Sequence, residues 1–173
     1  MGWPERFDVI EWIKLIISWN SNAQIILHGV SMGAATVLMA SGEELPENVK
    51  AIIADCGYTS EWDEFKCEAN ALHIPWFPVL NAASVMSRLR DGYDFKQASA
   101  LEQVKQSRIP TLFIHGSDDE LVPYSMLDKL YSAAVCKKEC LTVNGAGHAL
   151  SSSVEPELYW NTVESFIEKY LEK

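Results

Sequence analysis

An α/β fold, with a parallel sheet of about four strands, flanking helices and a helical cap insertion, follows from three observations. Apolar runs of strand length recur at 24–28, 49–54, 111–115 and 139–143, and segments of helical period separate them. Strands alternating with helices call for a parallel sheet covered on both faces. The alternation breaks only once, between residues 59 and 100, where several helical segments interrupted by Pro75 and Pro78 read as a cap. At 173 residues, about half of them apolar, the chain has the material for one sizeable core, and residues 1–173 are expected to form a single domain.

The elements follow in order. Phe7, Ile10, Ile13 and Ile17 recur at helical spacing behind Pro4, whose missing N–H costs nothing in a first turn, so a helix is predicted from about Glu5 to Trp19. Gln24-Ile25-Ile26-Leu27-His28 reads as a buried strand, and Ala34 to Ala40 as a helix with small residues at its start. Between them stands Gly29-Val30-Ser31-Met32-Gly33, the pattern of a serine exposed on a sharp strand-to-helix turn, where bulky neighbours two positions away would meet backbone. Val49 to Ala54 is a second parallel strand ending at Asp55-Cys56-Gly57. After the cap, Thr111 to His115 forms a third strand and Ser125 to Val135 a helix. Glu139 to Val143 forms a fourth strand, and a closing helix from Val154 to Leu171 is announced by a Ser152-x-x-Glu155 capping pattern.

Composition excludes several classes. The net charge of −10 and the lack of a basic cluster argue against nucleic acid and against an anionic membrane as partners. No apolar run reaches the 18 or so residues of a membrane span, and the N-terminus lacks the pattern of a signal peptide, so a cytoplasmic location is expected for the chain as it stands. Cys56, Cys67, Cys136 and Cys140 lack C-x-x-C spacing and read as free or buried thiols of a reducing compartment, with no metal site expected.

Catalytic groups of such sheets collect in loops beyond the carboxyl ends of the strands. Those loops hold Ser31, then His115-Gly116-Ser117-Asp118-Asp119-Glu120-Leu121-Val122-Pro123, then Asn144-Gly145-Ala146-Gly147-His148. A serine hydroxyl needs a base, which neutral His148 can be, and Asp119 behind the imidazole would fix its tautomer. The Met32 backbone N–H, at the start of a helix, points to where an acyl oxyanion would develop. Asp55 is the rival acid, at the end of the second strand. His28 and His115 read as histidines hydrogen-bonded within the sheet, His73 has no partner in view, and Cys56 lacks a glycine elbow and reads as packing. Histidine ordinarily titrates at about pH 6.5, so activity resting on His148 should fall in acid.

In G-V-S-M-G, H-G-S-D-D-E-L-V-P and G-A-G-H the chain resembles the α/β-hydrolase superfamily, in particular its serine-hydrolase branch of prolyl-oligopeptidase-like and S33-type peptidases and bacterial esterases. The resemblance covers most of the chain from Glu5 onward. It implies a triad of Ser31, Asp119 and His148, with Asp118 as a turn residue, and hydrolysis of an ester or peptide substrate through an acyl-enzyme with no cofactor. It also implies a lid in the cap, where Trp62, Phe65, Trp76 and Phe77 would line or cover an acyl or aromatic pocket, plain packing being the alternative reading of aromatics at this spacing.

The family's sheet has eight strands, and the first four have no counterpart here, so the fold is expected to be an incomplete α/β-hydrolase: a C-terminal portion of a longer hydrolase rather than a natural truncation. The loop that donates the second oxyanion N–H falls in the absent part. The strand at 24–28 would then have an unpaired edge, through which a homodimer is expected. Alternatives to an esterase are a serine peptidase of the same fold and a non-catalytic fragment that keeps triad residues without a complete oxyanion hole.

Overall fold

A computed structural model describes residues 1–171. In chain order the elements are α1 (Glu5–Trp19), β1 (Ile25–Val30), α2 (Met32–Ala40), β2 (Val49–Asp55), α3 (Glu61–Ala71), α4 (Trp76–Asp91), α5 (Ala100–Val104), β3 (Thr111–Gly116), α6 (Ser125–Ala133), β4 (Lys138–Val143), α7 (Ser151–Val154) and α8 (Pro156–Glu168). The four strands form one parallel sheet, as the α/β reading predicted, and stand in the order β1-β2-β3-β4.

Alternation along the strands divides the core in two. In β2, Ile52 and Ala54 face a cluster built with Ile13 of α1, Leu38 of α2, Phe113 of β3 and Leu130 of α6. Their neighbours Ala51 and Ile53 face the other side, where Leu112, Ile114 and Val143 meet Tyr159, Val163 and Phe166 of α8. The central strands β2 and β3 therefore read as continuous apolar runs because both of their faces are covered.

Element boundaries shift by one or two residues from expectation, and the shifts matter at the site. β1 continues to Val30 because Gly29 and Val30 still pair with Ala54 and Asp55 of β2, which carries the strand to the edge of Ser31. β3 continues to Gly116, paired with Val143. The closing helix is corrected more substantially. Residues 154–171 do not form one helix capped by Ser152; a short α7 ends at Val154, Glu155 leaves helical geometry (φ −130°, ψ 69°), and α8 begins with Pro156 at its first position. Proline disfavours helical backbone in the residue before it and suits N1, so Pro156 overrides the capping pattern.

Two helix starts in the cap carry side-chain caps that the sequence reading passed over. Ser60 Oγ accepts from the Asp63 N–H at 3.1 Å, and Ser99 Oγ from the Glu102 N–H at 3.2 Å. α1 is tied to the loop after α2 by Arg6, whose buried guanidinium lies 3.5 Å from the Trp3 ring centroid and bonds Glu43 at 2.9 Å. β1 forms one edge of the sheet, paired only with β2 among the described residues.

Candidate active site

Ser31 sits where β1 turns into α2, with φ 55° and ψ −118°, a left-handed backbone that L-residues rarely adopt. A serine before a helix ordinarily caps it with its side chain. Ser31 makes no such bond; the strained backbone turns its Oγ away from α2, and Oγ lies 2.7 Å from His148 Nε2. Gly29 makes this turn sterically feasible, since a Cβ there would collide with the Gly33 carbonyl and the Ala34 nitrogen. The reading that Gly33 answers the same need is corrected: a Cβ at Gly33 would meet open space. Met32 is the first residue of α2, so its N–H has no intrahelical acceptor, as at any helix start.

His148 and Asp119 arrive from loops after β4 and β3, and those loops are stapled together. Ser117 N donates to Val143 O, Asp118 N to Ala146 O, and Gly145 N to Ser117 Oγ at 2.8 Å. Gly116 allows this approach, because a Cβ on it would strike the Ala146 carbonyl. Asp118 is an exposed turn residue bonded to Ser117, as expected. Asp119 is 6% exposed. Its Oδ1 accepts from the N–H groups of Leu121 (3.0 Å) and Val122 (2.9 Å), and its Oδ2 lies 2.9 Å from His148 Nδ1. Burial pushes this carboxyl up, but the hydrogen bonds from His115, His148 and Val122 outweigh it and hold it below the usual aspartate value. The carboxylate form at Asp119 requires Nδ1–H on His148, which leaves Nε2 as the acceptor for the Ser31 hydroxyl.

The structure thus brings Ser31, His148 and Asp119 into one hydrogen-bonded line and leaves Asp55 outside it. Asp55 is buried under the sheet end, where Ser151 Oγ donates to it at 3.1 Å and Tyr159 bonds it; burial raises its pKa. His28 meets Tyr159 Oη at 3.0 Å, a partner in α8 rather than within the sheet. His115 was read as a sheet histidine, yet its Nε2 lies 2.9 Å from Val122 O and 3.3 Å from Asp119 Oδ2, so it also holds the acid. Only its position four residues before Asp119 hinted at this. Cys56 Sγ comes within 4.8 Å of ligand atoms of Asp119 and His148, a grouping that the cysteine spacing could not reveal. Burial, reinforced by Asp55, pushes its thiol up to about 12, and the other two atoms already bond each other, so the trio is a poor cation site.

The cap aromatics divide. Phe65 and Trp76 line an apolar groove of about 300 Å³ with Leu72, Val79 and Phe95. Trp62 faces a separate hollow with Arg88, Asp94 and Lys96, and Phe77 is exposed. No triad residue lines the groove, and the four rings expected to line or cover a pocket do not share one. The same cap brings in a feature that sequence reading missed: Glu61 and Glu64 of α3 are buried, each with one carboxyl oxygen lacking a partner.

A family model described as the prolyl oligopeptidase family matches residues 4–173. The chain belongs to that family. Among relatives of this prolyl oligopeptidase family chain, the uncharacterized protein YqkD of Bacillus subtilis is 28% identical over 169 residues, covering 96% of the chain and 55% of YqkD. A lysophosphatidylserine lipase of Macaca fascicularis is 28% identical over 130 residues, covering 75% of the chain and 32% of the lipase. The chain spans about half the length of the first curated relatives it matches. Solved structures of esterases and peptidases share its fold. A puromycin-hydrolyzing peptidase of Mycobacterium tuberculosis superposes with a TM-score of 0.74 at 18% identity, over 96% of the chain and 25% of the peptidase. An esterase of Pyrococcus furiosus gives 0.74 at 19% identity, over 97% of the chain and 63% of the esterase.

Proposed function

We propose that the chain carries the nucleophile, base and acid of a serine hydrolase that cleaves an ester bond of a small acyl substrate. The observation that carries this reading is the continuous line from Ser31 Oγ through His148 to Asp119 Oδ2, with links of 2.7 and 2.9 Å. Ser31 Oγ attacks the carbonyl carbon as His148 Nε2 takes its proton, and the carbonyl oxygen becomes an oxyanion beside the Met32 N–H. Collapse expels the alcohol, which takes the proton from His148, and leaves the acyl group on Ser31. Water then repeats the sequence, giving its proton to His148 as it attacks, and Ser31 is regenerated with release of the acid. Asp119 stays ionised throughout, stabilising the imidazolium and keeping its ring in place. This chemistry uses protein groups alone.

The Met32 N–H, the first of α2, is the oxyanion donor in this reading. The ester reading draws on the lysophosphatidylserine lipase among the relatives. The peptidase reading draws on the prolyl oligopeptidase family match.

A fluorophosphonate probe tests the proposal. An activated Ser31 forms a phosphonyl adduct that mass spectrometry locates on that residue and that Ser31→Ala abolishes. A chain that stays unlabelled at pH 8 would instead be a non-catalytic member of the fold. Comparing p-nitrophenyl acetate with an aminoacyl-p-nitroanilide then distinguishes ester from amide cleavage.

A further inference from the structure

Helix α4 is built inside out. The residues it buries are Leu80, Ser84 and Ser87, and both serines are spent on the following loop: Ser84 Oγ accepts from Phe95 N at 3.1 Å, and Ser87 Oγ donates to Tyr93 O at 3.0 Å. Helical spacing places Ala82, Val85, Met86 and Leu89 on the opposite side. There Val85, Met86 and Leu89 are 59%, 55% and 78% exposed. A face this apolar calls for a partner.

Charge identifies the partner. The chain has 24 Asp and Glu residues, yet residues 69–90 contain none, and Asp91 at the end of α4 falls by helical spacing on the side of Ser84 and Ser87. Arg88 and Arg90 fall on either flank of the apolar face, both exposed, with Arg88 only 3.9 Å from Asp94 as its ion pair. A helix with an apolar face rimmed by arginines, whose stems are apolar and whose heads are cationic, suits a surface that is hydrocarbon beneath and anionic above. Another exposed apolar helix face, that of α1 with Trp12 and Leu15, has Asp8 and Glu11 beside it and so lacks this complementarity. The net charge of −10 repels such a surface at long range, but of the acidic residues only Asp91 lies on α4, at its last position.

We propose that the exposed face of α4 docks on an anionic phospholipid surface, with Val85, Met86 and Leu89 in the acyl boundary and Arg88 and Arg90 at the headgroups. The helix lies on the bilayer; no helix among the described residues is long and apolar enough to cross it. The inference is independent of the proposed hydrolysis and is read without an activity assay.

The test is sedimentation of the chain with vesicles of equal parts phosphatidylcholine and phosphatidylserine, and with phosphatidylcholine alone. The chain cosediments with the mixed vesicles and far less with the neutral ones. Arg88→Gln with Arg90→Gln weakens binding roughly 30-fold and removes the preference for phosphatidylserine. Val85→Asp with Leu89→Asp abolishes binding, while Trp12→Asp on α1 leaves it intact. These positions are solvent-exposed, and circular dichroism verifies that each variant folds; should the aspartate pair fail to fold, the arginine pair decides alone. Absence of cosedimentation overturns the proposal, as does equal loss in the Trp12→Asp control. So does a concentration-dependent dimer that disappears with Val85→Asp and Leu89→Asp, which would assign the face to a second copy of the chain.

Discussion

Asp119 and Asp55 are both buried acids at strand ends, and their surroundings set them different tasks. Asp119 accepts four bonds, one of them from His148; Asp55 is turned to Ser151 and Tyr159 on the side of α8. Replacing Asp119 by Asn removes the acceptor that holds the proton on His148 Nδ1, so the Ser31 labelling rate should fall roughly ten-thousand-fold. Asp55→Asn should leave the labelling rate near wild type. Comparable losses in both variants would dismiss the assignment of roles. The sequence pointed to Asp119 through its H-G-x-x-D-x-x-V-P setting and could rank Asp55 only second. It could not show that His115 and His148 share the same carboxylate oxygen, because that meeting depends on how the loops after β3 and β4 fold over one another.

At the scale of the element, the turn from β1 to α2 is the most constrained piece of the chain. Its two glycines are not equivalent. Gly29→Ala forces a methyl group into the backbone of Gly33 and Ala34, and the expected cost is about 1–3 kcal/mol with loss of Ser31 labelling as the elbow deforms. Gly33→Ala meets open space inside a helix, where alanine is favoured by roughly 0.5–1 kcal/mol, so stability should rise and labelling persist. Urea denaturation with probe labelling of both variants checks the pair, and a Gly33→Ala chain as damaged as Gly29→Ala would contradict this account. Elsewhere local signals competed. Ser152-x-x-Glu155 promised a helix start, and Pro156 supplied the real one; Ser60 and Ser99 capped their helices without being noticed, because a serine three residues before an acid is a common pattern that only the backbone around it makes a cap.

Across the whole molecule, stability and pH are coupled through the cap. Burial raises Glu61 and Glu64 from an ordinary 4.5 to about 7, with Glu5 adding to the rise at Glu61 and Glu68 and Asp119 at Glu64; the N-terminal ammonium and Tyr93 oppose it at Glu61. A carboxyl whose folded pKa is raised adds stability that is complete below its unfolded value and is lost as pH rises through the folded value, here between about 4.5 and 7. Asp119, lowered in the fold, acts in the opposite sense and loses its contribution only as pH falls below the ordinary aspartate range. Glu61→Gln and Glu64→Gln should therefore each raise Tm by roughly 5 °C at pH 8 and change it little at pH 5. Equal effects at both pH values would show that ionisation is not the cause. Strand-length apolar runs, helical spacing and the three loop motifs were enough to determine the α/β class, the number of strands and the order of Ser31, Asp119 and His148, since these depend on periodicity and on residue type within a short window. Tertiary structure alone decided which acid faces His148, that the cap rings do not share one pocket with Ser31, that two glutamates are buried and that α4 turns its apolar side outward. Each of those depends on which surfaces meet across long stretches of chain, and a pattern of apolar residues states that a face must be covered without stating what covers it.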